Sequence, residues 1–91
     1  MAAGQATLSM NRVKVLLFAT LREHARAKSI MMELPEGMDI QGLIDRLSVE
    51  YPALRQDLKT VLVSMNKEYA PENAVIPIEA EIALFPPVSG G

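Results

Sequence analysis

Only one stretch of this chain carries a sustained helical period, and it limits the fold more than any other feature. Ile40, Leu43, Ile44, Leu47 and Tyr51 fall at i, i+3, i+4, i+7 and i+11, with Asp45, Arg46 and Glu50 opposite. That spacing makes an amphipathic helix with a single buried stripe. Asp39 stands at the N-cap position, and Pro52 ends the helix because its ring removes a donor and clashes with the preceding turn. One stripe needs one broad apolar surface to cover, and the flanking segments supply it as strands.

Arg12 to Ala19 alternates, with Val13, Val15, Leu17 and Ala19 on one side and Lys14, Leu16 and Phe18 on the other. Because Leu16 and Phe18 make the second side apolar too, this strand is expected to be central or covered by a partner. Leu21 to Lys28 reads as a polar connector able to form a helical turn. Ser29 to Leu34 alternates again, and Pro35-Glu36-Gly37 makes a turn. After the helix, Pro52 to Lys59 reads as a short helical turn around Leu54 and Leu58. Val61 to Met65 is a third strand, Asn66-Lys67-Glu68 a turn, Tyr69-Ala70 a short return strand, and Glu81 to Phe85 the last strand. The result is an α+β roll: a mixed sheet with one main helix packed across one face, and the first and last strands parallel neighbours in its middle.

With 91 residues there is room for one domain, and such a chain has a thin core. The absence of cysteine excludes disulfides, a thiolate nucleophile and a zinc–thiolate site. Nine basic against eleven acidic residues, net −2, give no footprint for a phosphate backbone, so no nucleic acid partner is expected. The longest apolar run, Val15 to Leu21, is interrupted by Thr20, so no membrane partner is expected either. Residues 1–11 read as a disordered lead-in with no basic or apolar signal character, and Met10 is a candidate natural start. The domain proper is expected over 12–85, followed by an extended, flexible tail over 86–91. A missing signal and missing disulfides make a cytoplasmic setting the expectation.

Catalytic groupings are sparse. His24 lies among charged residues and reads as solvated rather than as a base or ligand. Glu79/Glu81 and Glu33/Glu36 read as solvent faces and turns rather than paired acid–base groups. The five glycines form no phosphate loop, and no metal site is expected.

What stands out is the end, Leu84-Phe85-Pro86-Pro87-Val88-Ser89-Gly90-Gly91. The two prolines stop the strand and stiffen the start of the tail. The last two residues have no Cβ, so they can thread a narrow channel and adopt any φ that an acceptor site imposes. From Phe85 the terminus can reach about 20 Å at roughly 3.3 Å per residue. A cloning scar or frayed end is the bland alternative.

These residues, together with Val13-Lys14-Val15-Leu16-Leu17-Phe18-Ala19-Thr20-Leu21-Arg22-Glu23 and Val63-Ser64-Met65-Asn66, carry a resemblance. The chain resembles the ubiquitin-like β-grasp sulfur carriers, and within them the small-subunit family of molybdopterin synthase rather than the thiazole branch. The resemblance implies a β-grasp roll and a carrier that is noncatalytic by itself within a heterotetrameric sulfurtransferase. An E1-like enzyme would use Mg-ATP to adenylate Gly91, with Gly90 beside it. A sulfur donor would convert the adenylate to a thiocarboxylate, and the large catalytic subunit would present that sulfur to cyclic pyranopterin monophosphate. The chain itself would bind no cofactor.

By the same resemblance, Phe18, Phe85, Tyr69 and Arg22 form the docking patch, and Pro86, Pro87, Val88 and Ser89 are held by the partners. A core place for the phenylalanines, and a plain surface place for Tyr69 and Arg22, are the alternatives. A carrier for thiazole or tRNA thiolation, a ubiquitin-like modifier joined through Gly91, or a plain interaction module also stay open. One departure is visible. Family members usually carry Gly-Asp-Glu before the last strand, and Glu79-Ala80-Glu81 stands here, so a φ > 0 turn would be costlier.

Overall fold

The structure is a computed structural model that describes residues 9–87. The alternation of the first segment becomes strand β1 (Met10–Leu17), in which Val13, Val15 and Leu17 are completely buried. It pairs antiparallel with β2 (Ser29–Pro35), matching Val13 to Met32 and Val15 to Ile30, and parallel with β5 (Glu81–Phe85), matching Val15 to Ile82 and Leu17 to Leu84. β5 also pairs antiparallel with β3 (Leu62–Met65), which turns back into β4 (Glu68–Tyr69). The sheet order is therefore β2-β1-β5-β3-β4, with the parallel pair inside as expected.

Strand β1 opens earlier than its apolar alternation suggests, since Met10 and Asn11 belong to the sheet and not to a lead-in. The reason is Asn11, a polar residue at a core position that apolar alternation cannot detect. It is 2% exposed, its Nδ2 donates to the Pro77 carbonyl at 2.8 Å, and its Oδ1 accepts from the Glu79 N–H at 2.7 Å. β1 also closes earlier, because Ala19 has φ 54 and turns the chain into α1 (Thr20–Ala25). That helix is not simply a polar connector, since Leu21 is fully buried. The remainder of the lead-in, residues 1–8, and tail residues 88–91 lie outside the described residues.

α2 (Ile40–Glu50) begins as the spacing requires: the Gly42 N–H donates to Asp39 Oδ1 at 2.9 Å, and loop carbonyls of Glu72 and Ala74 receive Gln41 and Ile40. Ile40, Leu43 and Leu47 pack into one cluster with Val15, Leu17, Ile82 and Leu84 from the sheet. A 3-10 turn (Pro52–Leu54) and α3 (Arg55–Leu58) add Leu54 and Leu58 to the same core. At the β3–β4 hairpin Asn66 and Lys67 both have positive φ, 51 and 73, as a two-residue loop of primed type demands. No helix among the described residues is long and apolar enough to cross a membrane.

Candidate docking site

Because β1 and β5 run parallel and in register, their pairing finishes at Leu17 and Leu84, and the next residue of each carries an aromatic ring. The Phe18 N–H extends the ladder to the Leu84 carbonyl at 3.3 Å. The rings of Phe18 and Phe85 stack with centroids 4.7 Å apart and planes within 8°. Arg22, early in α1, lies over Phe18 with Cζ 5.8 Å from the ring centroid, within reach of a cation–π attraction. Its Nε also donates to the Leu17 carbonyl at 3.3 Å. Three of the residues expected to dock a partner are thus one cluster at the root of the tail.

Neither phenylalanine is a core residue: Phe18 is half-buried, and Phe85 is 37% exposed. Leu62 stands opposite Phe85 in the register and is 41% exposed, which extends the apolar patch across the strand pair. Sequence reasoning did not single it out, although alternation about the buried Val63 already sends Leu62 to the other face. Tyr69 is 75% exposed and shares that outer face through the row Leu16, Ala83, Ser64, Tyr69, but β3 separates it from Phe85 on β5 and from Phe18 beyond it. A groove of about 480 Å³ between α2, α3 and the β3–β4 edge shares Leu62 and Tyr69 with this face. Pro86 is half-buried and Pro87 exposed, while Val88, Ser89, Gly90 and Gly91 lie outside the described residues.

The turn before β5 places a positive φ on a residue that carries a Cβ. Glu79 has φ 57, and two asparagines hold the turn in place. Asn11 accepts from the Glu79 N–H, and Asn66 Oδ1 accepts from the Glu81 N–H at 3.0 Å while the Asn66 N–H donates to the Glu81 carbonyl at 2.9 Å. The register of β5, and hence the position of Phe85, is fixed at its start.

His24 is half-exposed but not simply solvated. Its Nδ1 lies 2.6 Å from Asp57 Oδ2, tying α1 to α3, and this hydrogen bond and the Asp57 charge raise its pKa above 6.5. Among the described residues no group of three or more His, Asp or Glu side chains converges to hold a metal ion.

The ThiS family profile matches residues 15–91. The chain belongs to the ThiS family. Among its relatives, the molybdopterin synthase sulfur carrier subunit of Dictyostelium discoideum is 38% identical over 84 residues, covering 89% of this chain and 98% of that one. SAMP1 from Haloferax volcanii superposes with TM-score 0.76 at 27% identity, covering 89% of this chain and all of that one. A ubiquitin-like domain from Arabidopsis thaliana superposes with TM-score 0.61 at 13% identity, a likeness of fold alone. Chain order, sheet order and these neighbours together make this ThiS-family member a ubiquitin-like β-grasp roll.

Proposed function

We propose that this chain is the sulfur carrier of a molybdopterin synthase, noncatalytic by itself. The observation that carries the reading is the placement of the Phe18–Phe85–Arg22 cluster at the root of Pro86-Pro87-Val88-Ser89-Gly90-Gly91. Relatives named molybdopterin synthase sulfur carrier subunit support it.

A carboxylate is a poor electrophile. An E1-like partner therefore joins a Gly91 carboxylate oxygen to the α-phosphorus of Mg-bound ATP, and pyrophosphate leaves. A sulfide-level donor then attacks the acyl carbon and expels AMP, a good leaving group, giving the Gly91 thiocarboxylate. The large catalytic subunit docks on the aromatic patch and receives the tail. The sulfur forms a bond to carbon of cyclic pyranopterin monophosphate, water cleaves the acyl–sulfur bond, and the carrier returns as the carboxylate. Two such transfers complete the dithiolene.

The test is intact-mass analysis after incubation with the activating enzyme, ATP and a sulfur donor. The wild-type chain gains the mass of sulfur replacing oxygen, and a chain extended by one residue beyond Gly91 gains nothing. An unchanged wild-type mass overturns the reading. A second reading, as a protein modifier, is favoured by the likeness to SAMP1, a small archaeal modifier protein by name. Recovery of Gly91 in isopeptide linkage to lysines of other proteins would support it.

A further inference from the structure

We propose that the corner joining β1 to β2 is an electrostatic docking element: Arg26 and Lys28 extend the positive charge that Arg22 begins beside the Phe18–Phe85 pair. The partner they fit is a protein whose apolar socket is rimmed with aspartate and glutamate on the side that meets α1. The proposal rests on the sulfur-carrier reading for the identity of that partner, the large synthase subunit, and adds the charge that its docking surface presents.

The chain as a whole is acidic, with net charge −2. Between β1 and β2 the balance reverses, and Arg22, Arg26 and Lys28 stand against Glu23 alone. The topology places this segment at the end of the sheet where the β1–β5 pairing finishes and the two rings stack. The segment is held there by the backbone: the Leu17 N–H donates to the Lys28 carbonyl at 2.9 Å, and the N–H groups of Arg26 and Ala27 both donate to the Arg22 carbonyl. All three cations are exposed, and among the described residues no carboxylate lies within ion-pair distance of any of them. Asp57, the acid that reaches this corner from α3, is taken by His24 at 2.6 Å. The cations at the other end of β1 stand differently, since Arg12 faces Glu33 and Lys14 faces Glu81 in the register.

Stability alone does not account for Arg26. It caps α1 with φ 58, a left-handed conformation that glycine enters at lower cost, and it follows Arg22 by four residues, a spacing that sets like charges side by side. The helix dipole favours a cation at this end and offsets part of that cost. What remains is a charge kept in an unfavourable conformation beside the aromatic patch. Opposite charges around an apolar contact steer encounter, and they act on kon more than on koff.

The test follows association of the full chain with the large subunit by stopped flow, at ionic strengths of about 0.15 M and about 1 M. Arg26→Glu/Lys28→Glu lowers kon about tenfold at the lower salt, changes koff less than about twofold, and differs little from the wild-type chain at the higher salt. Arg26→Gly separates docking from a structural role: it raises the urea midpoint because the positive φ is relieved, yet slows association about two- to threefold. Glu33→Gln/Glu36→Gln leaves kon within about twofold, because these residues lie roughly 20 Å or more from Phe18 at about 3.3 Å per residue of β1. A charge-reversed variant that associates as fast as the wild-type chain, or faster, overturns the proposal, as does a wild-type kon that does not fall with salt. If the large subunit does not bind the wild-type chain at all, the sulfur-carrier reading falls and this proposal with it; binding that is indifferent to these charges removes the proposal alone.

Discussion

Replacing Asn11 by alanine removes the one polar side chain among the described residues that is buried at a core position. Two hydrogen bonds go with it, to the Pro77 carbonyl at 2.8 Å and from the Glu79 N–H at 2.7 Å. The two partners do not suffer equally. The Pro77 carbonyl keeps a second donor, the Ala80 N–H at 3.3 Å, so its loss is an ordinary net bond of about 0.5–1.5 kcal/mol. Glu79 loses the acceptor that holds it at positive φ, and an orphaned, partly buried N–H costs about 1–3 kcal/mol. The sum is about 2–4 kcal/mol, or a fall in Tm of roughly 10–25 °C for a domain of this size. Urea unfolding followed by far-UV circular dichroism measures it, with a constant m-value showing that the denatured state is unchanged. Asn11→Asp restores only part of the loss, because a carboxylate can accept from Glu79 but cannot donate to Pro77, whose carbonyl then faces a carboxylate oxygen. A loss below about 1 kcal/mol for Asn11→Ala would refute the idea that this side chain clamps the turn before β5.

The same geometry sets other outcomes. Glu79→Gly relieves a positive φ and raises stability by about 0.5–1 kcal/mol in the same urea assay; a decrease would mean that the Glu79 side chain contributes something unseen in its conformation. Leu47→Ala, at a fully buried site facing the sheet, lowers stability by about 2–5 kcal/mol. Phe85→Ala weakens binding of the large subunit by at least about tenfold and Tyr69→Ala by less than about threefold, measured by calorimetry, since the ring on β5 sits in the aromatic cluster and Tyr69 stands apart. For His24, Asp57 raises the folded pKa above the unfolded one, so the pair's stabilisation is complete below the unfolded value and disappears as pH rises through the folded value. The urea midpoint of the wild-type chain therefore exceeds that of His24→Gln near about pH 5.5, and the difference shrinks by about pH 8.5; a difference that grew with pH would contradict the assignment.

The legible parts of this fold were those where apolar spacing and burial agree. The stripe of α2, its Asp39 cap and its Pro52 stop were readable because each acts locally. The central place of β1, paired parallel with β5, agrees with the apolar second face of the first strand. Asn11 was illegible for the opposite reason: its burial is made favourable by carbonyl and amide groups 66 and 68 residues away, which no local window contains. Leu21 was hidden because it is fully buried beside charged, exposed neighbours in a short helix that shows no sustained apolar spacing. At the site, alternation left Phe18 and Phe85 undecided between core and surface. Their pairing depends on the match of Leu17 to Leu84 between two strands distant in the chain, a fact of register rather than of either segment.

The most direct measurement prepares the chain by semisynthesis with a thiocarboxylate already at Gly91 and mixes it with the large synthase subunit and cyclic pyranopterin monophosphate, with no ATP and no other source of sulfur. A sulfur carrier for this enzyme yields molybdopterin and returns two carboxylate-ended chains for each product formed. If the thiocarboxylate is recovered intact and the pterin unchanged, the chain does not deliver sulfur in this reaction and the account is wrong.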